Sequence, residues 1–147
     1  MNSKNGFTLL ELIIVVVIVG ILAVVGLNQY SSIVRKVRIG EAKANIDFMR
    51  KLTYEYYLKN GTYDTLTNAD VGSGVSLPSS CATTNYFYYY ISLPGTYVRL
   101  MAMRCTAGGK APNIPVRYYV RGNYTPNTGA FSYTCYDYAT AAAFTCP

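Results

Sequence analysis

The chain has 147 residues, a length that fits one small domain with an appended segment. Thirteen lysines and arginines against seven aspartates and glutamates give a formal net charge of +6, and the sequence contains no histidine. The lack of histidine excludes a serine–histidine–aspartate triad and an imidazole base. Residues 61–147 carry just three acids, Asp64, Asp70 and Asp137, without close pairing, and the sequence has no glycine-rich phosphate loop. We predict that the protein is not an enzyme and uses no cofactor and no catalytic metal.

An apolar segment begins near the amino terminus. From Phe7 to Leu27 the sequence is apolar except for Thr8 and Glu11, over 21 residues. A membrane-spanning helix needs about 20 residues, whereas the apolar part of a secretory signal has roughly 7–15 and ends at a small-residue cleavage site. Because Asn28 follows and no such site does, we predict a retained membrane anchor rather than a cleavable secretory signal.

Glu11 is the charged residue within this apolar segment. An unpaired carboxylate at the centre of a membrane-spanning helix costs about 3 kcal/mol on insertion scales, and less near an interface. The positive end of the helix dipole at the helix start is one source of compensation. A cation supplied from elsewhere is the other.

We predict one long helix from Phe7 to about Asn60, with its first half apolar all round and its second half amphipathic. Asn60 and Gly61 favour the left-handed conformation that ends helices. The predicted buried stripe of the second half is Ile39, Ala42, Ile46, Met49, Leu52 and Tyr56. The densest basic group is Arg35, Lys36 and Arg38. We interpret it as a solvated helix surface beside a membrane, with a phosphate-binding patch and weak nucleic-acid binding as alternatives.

The remainder, residues 61–147, is called the head, and its composition predicts an antiparallel sheet. Residues 62–80 are predicted to form a long loop. Alternating apolar and polar residues predict half-buried strands, and Pro94-Gly95 predicts a turn between the first two. The predicted strands are Tyr86–Ser92, Thr96–Arg104, Val116–Gly122 and Phe131–Asp137.

Four cysteines lie in the head: Cys81, Cys105, Cys135 and Cys146. Without histidine or a Cys-x-x-Cys pair, they fit two disulfides better than a zinc site. Three connectivities are possible. We predict Cys81–Cys105 and Cys135–Cys146, which have the shortest sequence separations.

The aromatic run from Tyr86 to Tyr90 has several candidate roles. A ligand-stacking surface, an adhesive patch and an electron-transfer path are alternatives. We predict instead a strand whose aromatic side chains cover the helix and a neighbouring subunit. Two glycosylation sequons, at Asn60 and Asn123, are of a kind common by chance.

The amino-terminal residues Lys4-Asn5-Gly6-Phe7-Thr8-Leu9-Leu10-Glu11 resemble the class III signal of type IV pilins and pseudopilins. The similarity extends through the apolar helix with Gln29-Tyr30 at its end. It continues to Tyr56-Tyr57-Leu58-Lys59-Asn60-Gly61-Thr62-Tyr63, where the pilin helix usually ends. The resemblance implies an α+β pilin fold, a long amino-terminal helix packed on a small antiparallel head.

The resemblance also implies a processing pathway. A prepilin peptidase would cut between Gly6 and Phe7 and methylate the new amine of Phe7. The implied segments are a leader (1–6), a transmembrane and filament-core helix (7–30), an amphipathic half (31–60) and the head. Glu11 would pair with the Phe7 amine of another subunit in the filament, so that a wrongly docked subunit leaves a charge unpaired.

Two features depart from the family pattern. Many members carry a proline where this chain has Asn28, although Asn28 and Gly26 are also poor helix formers. Lys4 is the single basic residue before the apolar segment, whereas several basic residues follow it. By the positive-inside rule, this distribution would place the head in the cytoplasm. The cysteines and the leader motif predict the opposite orientation, which we adopt.

The resulting functional hypothesis is a structural subunit of a type IV pilus-like filament that serves adhesion, motility or DNA uptake. A pseudopilin of a type II secretion or competence system is the alternative, and a monomeric membrane-anchored binding module is a distant one. The implied partners are other copies of the chain, the prepilin peptidase, an inner-membrane assembly platform and the membrane before assembly. The implied location is the bacterial inner membrane with a periplasmic head, then the cell surface or a periplasmic pseudopilus.

Overall fold

The computed structural model describes residues 8–111, 118–138, 140 and 142–146. Within them, one long helix is followed by a short 3-10 helix and five strands. This arrangement confirms the predicted α+β fold. The chain divides into two compact units, Met1–Val37 and Arg38–Pro147.

The long helix α1 is Leu9–Asn60. Its predicted first residue, Phe7, lies outside the described residues. Its predicted end is confirmed: Gly61 has a φ of 72°, and its N–H donates to the carbonyl of Tyr57 at 2.8 Å. Glycine adopts this left-handed conformation at little cost, which is why the helix stops there.

The second half of α1 lies on the sheet through the predicted stripe. Ile39, Ala42, Ile46 and Met49 are fully buried, while Leu52 and Tyr56 are half-buried. The stripe forms because residues three and four apart share one helix face. Thr53 is buried on the same side, and its hydroxyl donates to the Met49 carbonyl at 2.9 Å.

The five strands form one antiparallel sheet in chain order. The strands are β1 Phe87–Ser92, β2 Val98–Arg104, β3 Tyr118–Thr125, β4 Ala130–Asp137 and β5 Ala143–Phe144. The four predicted strands are therefore present: three of them end at the predicted residue, and the other ends that can be compared differ by one to three residues. The start predicted for the third, Val116, lies outside the described residues. The short β5 was not predicted, because two residues are too few to show a period.

Alternation along the strands separates two faces of the sheet. One face contributes Phe87, Tyr89, Leu100, Ala102, Tyr118, Val120, Tyr124 and Cys135 to the core cluster beneath α1. The helix packs closely on the sheet at Gly122, where an added Cβ would lie 2.7 Å from Ile46 Cγ2 and 2.8 Å from Phe131 Cε2. A glycine is therefore needed for this contact between helix and sheet.

The connection from α1 to β1 is more ordered than the predicted loop. It contains the 3-10 helix η1, Ala69–Val71, and an isolated bridge between Ser73 and Leu77. Asp70 accepts bonds from the backbone N–H and the hydroxyl of Thr67. These bonds stabilise its carboxylate and lower the pKa of Asp70.

Two disulfides fix the head: Cys81–Cys105 and Cys135–Cys146. This is the pairing predicted from sequence separation. The first attaches the segment before β1 to the end of β2. The second attaches the carboxyl-terminal segment to β4, where β5 pairs with Cys135 and Tyr136.

Candidate assembly site

From Leu9 to Gly26, α1 exposes all of its large apolar side chains. The 18 residues Leu9–Gly26 are long and apolar enough to cross a membrane, and none of this stretch is buried. Leu9 is 78% exposed and Leu22 is 65% exposed. An apolar surface this large is unfavourable in water, so it requires lipid or other protein as its surroundings.

Glu11 and Thr8 form a reciprocal cap at the start of this helix. The Glu11 carboxylate accepts bonds from the Thr8 N–H at 2.9 Å and the Thr8 hydroxyl at 2.8 Å. In return the Glu11 N–H donates to the Thr8 hydroxyl oxygen at 3.3 Å. This capping box satisfies backbone N–H groups that have no partner within the helix.

The cap supplies hydrogen bonds to the Glu11 carboxylate but no positive charge to compensate it. All of these partners are neutral, and no lysine or arginine of the described residues forms an ion pair with Glu11. The carboxylate is bonded to Thr8, which follows directly in the sequence after the predicted new amino terminus, Phe7. Gly6 and Phe7, the predicted cleavage and methylation residues, lie outside the described residues.

A second candidate contact surface is the sheet face opposite α1. Tyr88 stacks on Tyr90, with ring centroids 5.9 Å apart, and Tyr119 stacks on Tyr136 at 4.9 Å. The predicted aromatic run is thus divided: Phe87 and Tyr89 are buried towards the helix, while Tyr88 and Tyr90 lie on this opposite face. Other side chains of this face are Arg99, Met101, Met103 and Arg121. Met101 and Met103 are buried within the chain, whereas the tyrosines and arginines are partly exposed. Tyrosine and arginine are enriched in protein interfaces.

Comparison with known proteins begins at the amino terminus. The family profile described as the prokaryotic N-terminal methylation motif matches residues 1–27. The type IV major pilin protein PilE1 of Neisseria gonorrhoeae is 39% identical over 77 residues, which is 52% of this chain and 36% of that protein. A fimbrial protein of Neisseria meningitidis serogroup A is 38% identical over 79 residues, covering 52% of this chain and 46% of that protein.

A further relative matches nearly the whole chain. The fimbrial protein EcpC of Eikenella corrodens is 30% identical over 141 residues, covering 94% of this chain and 86% of that protein. The chain belongs to the type IV pilin family. Its matches to three gonococcal pilins span only 36% to 47% of their length. No solved structure gives a significant match to this pilin.

Sequence reasoning missed the role of Thr8 in this pilin. The signal was present, because Thr8 and Glu11 have the S/T-x-x-E/Q spacing of a capping box directly before an apolar run. It also missed Arg104, which is fully buried at the end of β2. Alternation from Val98 through Leu100 and Ala102 places residue 104 on the inward face, but a buried arginine there runs against the usual pattern.

Proposed function

We propose that this pilin is a structural subunit of a type IV pilus-like filament. In this proposal a prepilin peptidase removes residues 1–6 and methylates Phe7, and the mature subunit is held in the inner membrane with its head in the periplasm. An assembly platform then extracts it, and subunits polymerise through α1. The observation that carries the proposal is the exposed apolar surface Leu9–Gly26 in a chain of the pilin family.

The physical basis is that this surface has two suitable environments. In the membrane, lipid tails surround it. In a filament, the same side chains pack against the helices of neighbouring subunits, where close van der Waals contact replaces lipid. The two disulfides fit an oxidising compartment such as the periplasm, which supports the proposed orientation of the head.

We assign Glu11 the role of setting subunit register. Cleavage creates a cationic amine on Phe7, and helix packing brings this amine of one subunit to Glu11 of another. Losing one partner of a buried ion pair typically costs about 3–5 kcal/mol, so a subunit in the wrong register is disfavoured. The bonds to Thr8 hold the carboxylate at the helix start before the amine of the neighbour arrives.

The relatives favour a surface pilus over a pseudopilus. Those compared above carry the names major pilin and fimbrial protein. A surface pilus would serve adhesion, motility or DNA uptake. Long surface filaments that disappear when the gene is deleted, and return on complementation, distinguish this function from the short periplasmic filament of a secretion system.

The test compares Glu11→Ala, Glu11→Gln and Thr8→Ala in cells that lack the native gene. If the charge of Glu11 sets register, both Glu11 variants accumulate and are processed normally. The yield of sheared filaments nevertheless falls at least tenfold, because each variant leaves a Phe7 amine without its charged partner. Thr8→Ala removes the two bonds of the Thr8 hydroxyl but keeps the bond from the backbone N–H and the charge of Glu11, so its filament yield remains near that of the wild type. Immunoblots measure accumulation, and mass spectrometry of the mature amino terminus measures processing.

Other outcomes contradict the proposal in separable ways. Normal filaments from Glu11→Gln would remove the register role. An equal loss in Thr8→Ala would assign Glu11 to capping alone. A mature chain that still begins at Met1 would instead favour a membrane-anchored monomer with a binding function.

A further inference from the structure

Three cations converge on the ring of Tyr86, just before β1. The Arg38 guanidinium carbon lies 4.3 Å from the ring centroid, that of Arg104 lies at 4.9 Å, and Lys110 Nζ lies at 5.0 Å. The three come from α1, from the end of β2 and from the loop after Cys105. We call Arg38, Tyr86, Arg104 and Lys110 the Tyr86 cation cluster.

The backbone around this cluster is held in place on several sides. The Arg104 side chain donates to the Tyr86 carbonyl at 2.8 Å, and the same carbonyl accepts the Cys105 N–H at 2.9 Å. The Lys110 N–H donates to the Asn85 carbonyl at 2.9 Å. The disulfide of Cys105 then ties this corner to Cys81. The cations are therefore brought together by the fold.

Gly109 shows how close the two segments come. A Cβ added there would lie 2.3 Å from Cys105 Cβ and 3.3 Å from the Asn85 carbonyl oxygen. Only glycine allows the loop to approach closely enough to place Lys110 beside Tyr86. The position of Lys110 is thus a consequence of this close backbone contact.

The cluster concentrates like charge at one place. Within the part of the chain that the structure describes, neither Arg38 nor Lys110 forms an ion pair. Arg104 is fully buried, and this burial lowers the pKa of its guanidinium, with the neighbouring charge of Arg38 acting in the same direction. Cation–π contacts offset part of this cost, but a ring carries no net negative charge. An anion placed between the cations would reduce their repulsion.

We propose that the Tyr86 cation cluster binds an oxyanion of the phosphate type, either free phosphate or the phosphodiester headgroup of an anionic phospholipid. Arg38 and Tyr86 are half-exposed and Lys110 is exposed, so the group reaches Arg38 and Lys110 directly. Arg104 has no exposed surface and contributes its charge without contacting the anion. Guanidinium and ammonium groups are the usual protein ligands of phosphate. This inference is independent of whether the chain polymerises.

The first test uses the full chain in a non-ionic detergent, with inorganic phosphate as the probe and chloride at equal ionic strength as the reference. Calorimetric titration measures the affinity of wild type, of Arg38→Gln/Lys110→Gln and of Lys51→Gln/Lys59→Gln. The last variant is the control: it also loses two positive charges, but from exposed positions on the helix. We expect the cluster variant to lose roughly tenfold or more in affinity, because two charge-assisted hydrogen bonds disappear, and the control to match the wild type.

The second test asks whether a lipid supplies the phosphate. The full chain is reconstituted into phosphatidylcholine vesicles with or without phosphatidylglycerol, and the thermal midpoint of the head is followed by near-ultraviolet circular dichroism. A rise that requires phosphatidylglycerol and is lost in the cluster variant assigns the site to the headgroup. A response to inorganic phosphate alone assigns it to the free ion.

Two results would overturn the proposal. The first is a cluster variant that binds phosphate as well as the wild type does, and the second is no response to either phosphate or phosphatidylglycerol. In the second case, binding of oligothymidylate would assign the cluster to nucleic acid. A folded cluster variant with native near-ultraviolet dichroism is the control for structural damage, and Arg104 is left unchanged for that reason.

Discussion

Tyr89 connects the amphipathic half of α1 to β1. Its phenol is almost fully buried and accepts a bond from the Asn45 side-chain amide at 2.7 Å. Burial raises the pKa of Tyr89 to about 12 from its ordinary value of 10.0; the bond from Asn45 opposes this shift and the charge of Glu41 adds to it. The folded head therefore favours the neutral phenol.

This raised pKa predicts a loss of stability in alkali. The folded pKa lies above the unfolded one, so the contribution is fully present below pH 10.0 and is lost as the pH rises towards about 12. Two pKa units correspond to roughly 2–3 kcal/mol in the free energy of unfolding. We expect Tyr89→Phe to be less stable at pH 7 by about 1 kcal/mol, through the lost bond, but to lose less than wild type between pH 10 and 11.5.

The measurement is urea unfolding of the full chain in non-ionic detergent across this pH range. Tyr133→Phe is measured for comparison, because burial also raises the pKa of Tyr133. The Tyr133 hydroxyl donates to the Lys43 carbonyl, so this variant also loses one half-buried phenol and one hydrogen bond. Parallel stability curves for wild type and Tyr89→Phe would show that this phenol does not carry the alkaline loss.

At the scale of elements, the contact between α1 and β3 depends on the absence of a side chain at Gly122. Since an alanine Cβ would lie 2.7 Å from Ile46 Cγ2, the helix or the ring of Phe131 must move. We predict that Gly122→Ala lowers the free energy of unfolding by about 1–3 kcal/mol, the usual cost of overpacking. Chemical denaturation followed by near-ultraviolet dichroism measures this loss.

Gly40 provides the matched control on α1. A Cβ added there has no neighbour within 4 Å, and alanine is a better helix former than glycine. Gly40→Ala should therefore raise the stability of the subunit by about 0.5–1 kcal/mol. If both alanine variants changed stability in the same direction, close helix–sheet packing at Gly122 would not be the cause.

At the scale of the whole molecule, the buried core belongs to one of the two compact units. Every residue of the core cluster lies at or after Ile39, and the second unit begins at Arg38. We predict that a chain of residues 38–147 is soluble without detergent, forms both disulfides and unfolds in one cooperative thermal transition. Size-exclusion chromatography and calorimetry check this. Aggregation of this fragment would show that the first unit is needed for folding.

The sequence predicted the fold well where a repeating pattern decides it. The stripe at Ile39 and Ile46 and the alternation around Val120 reflect one local period each, and both appear in the core. The short β5, the helix η1 and the contacts of the buried Arg104 side chain could not be predicted in this way. β5 and Arg104 depend on contacts between segments, such as the disulfide between Cys135 and Cys146 and the bond from Arg104 to the Tyr86 carbonyl. The helix η1 has three residues, too few to show a period.

The residues of the candidate site could be predicted from the sequence, but the contact they make between subunits could not. The motif around Gly6, Phe7 and Glu11 is read from adjacent residues, so the sequence suffices to propose processing. A single subunit shows Glu11 bonded to Thr8, whereas the proposed ion pair joins two subunits. Its geometry depends on how the helices pack in the filament.

A cryo-electron microscopy map of sheared filaments, at a resolution that shows side chains, tests the central claim most directly. We expect each subunit to begin at a methylated Phe7, with its amine within ion-pair distance of Glu11 from a neighbouring subunit. A map in which residues 1–6 remain attached, or in which Glu11 contacts only Thr8 of its own chain, would contradict the account.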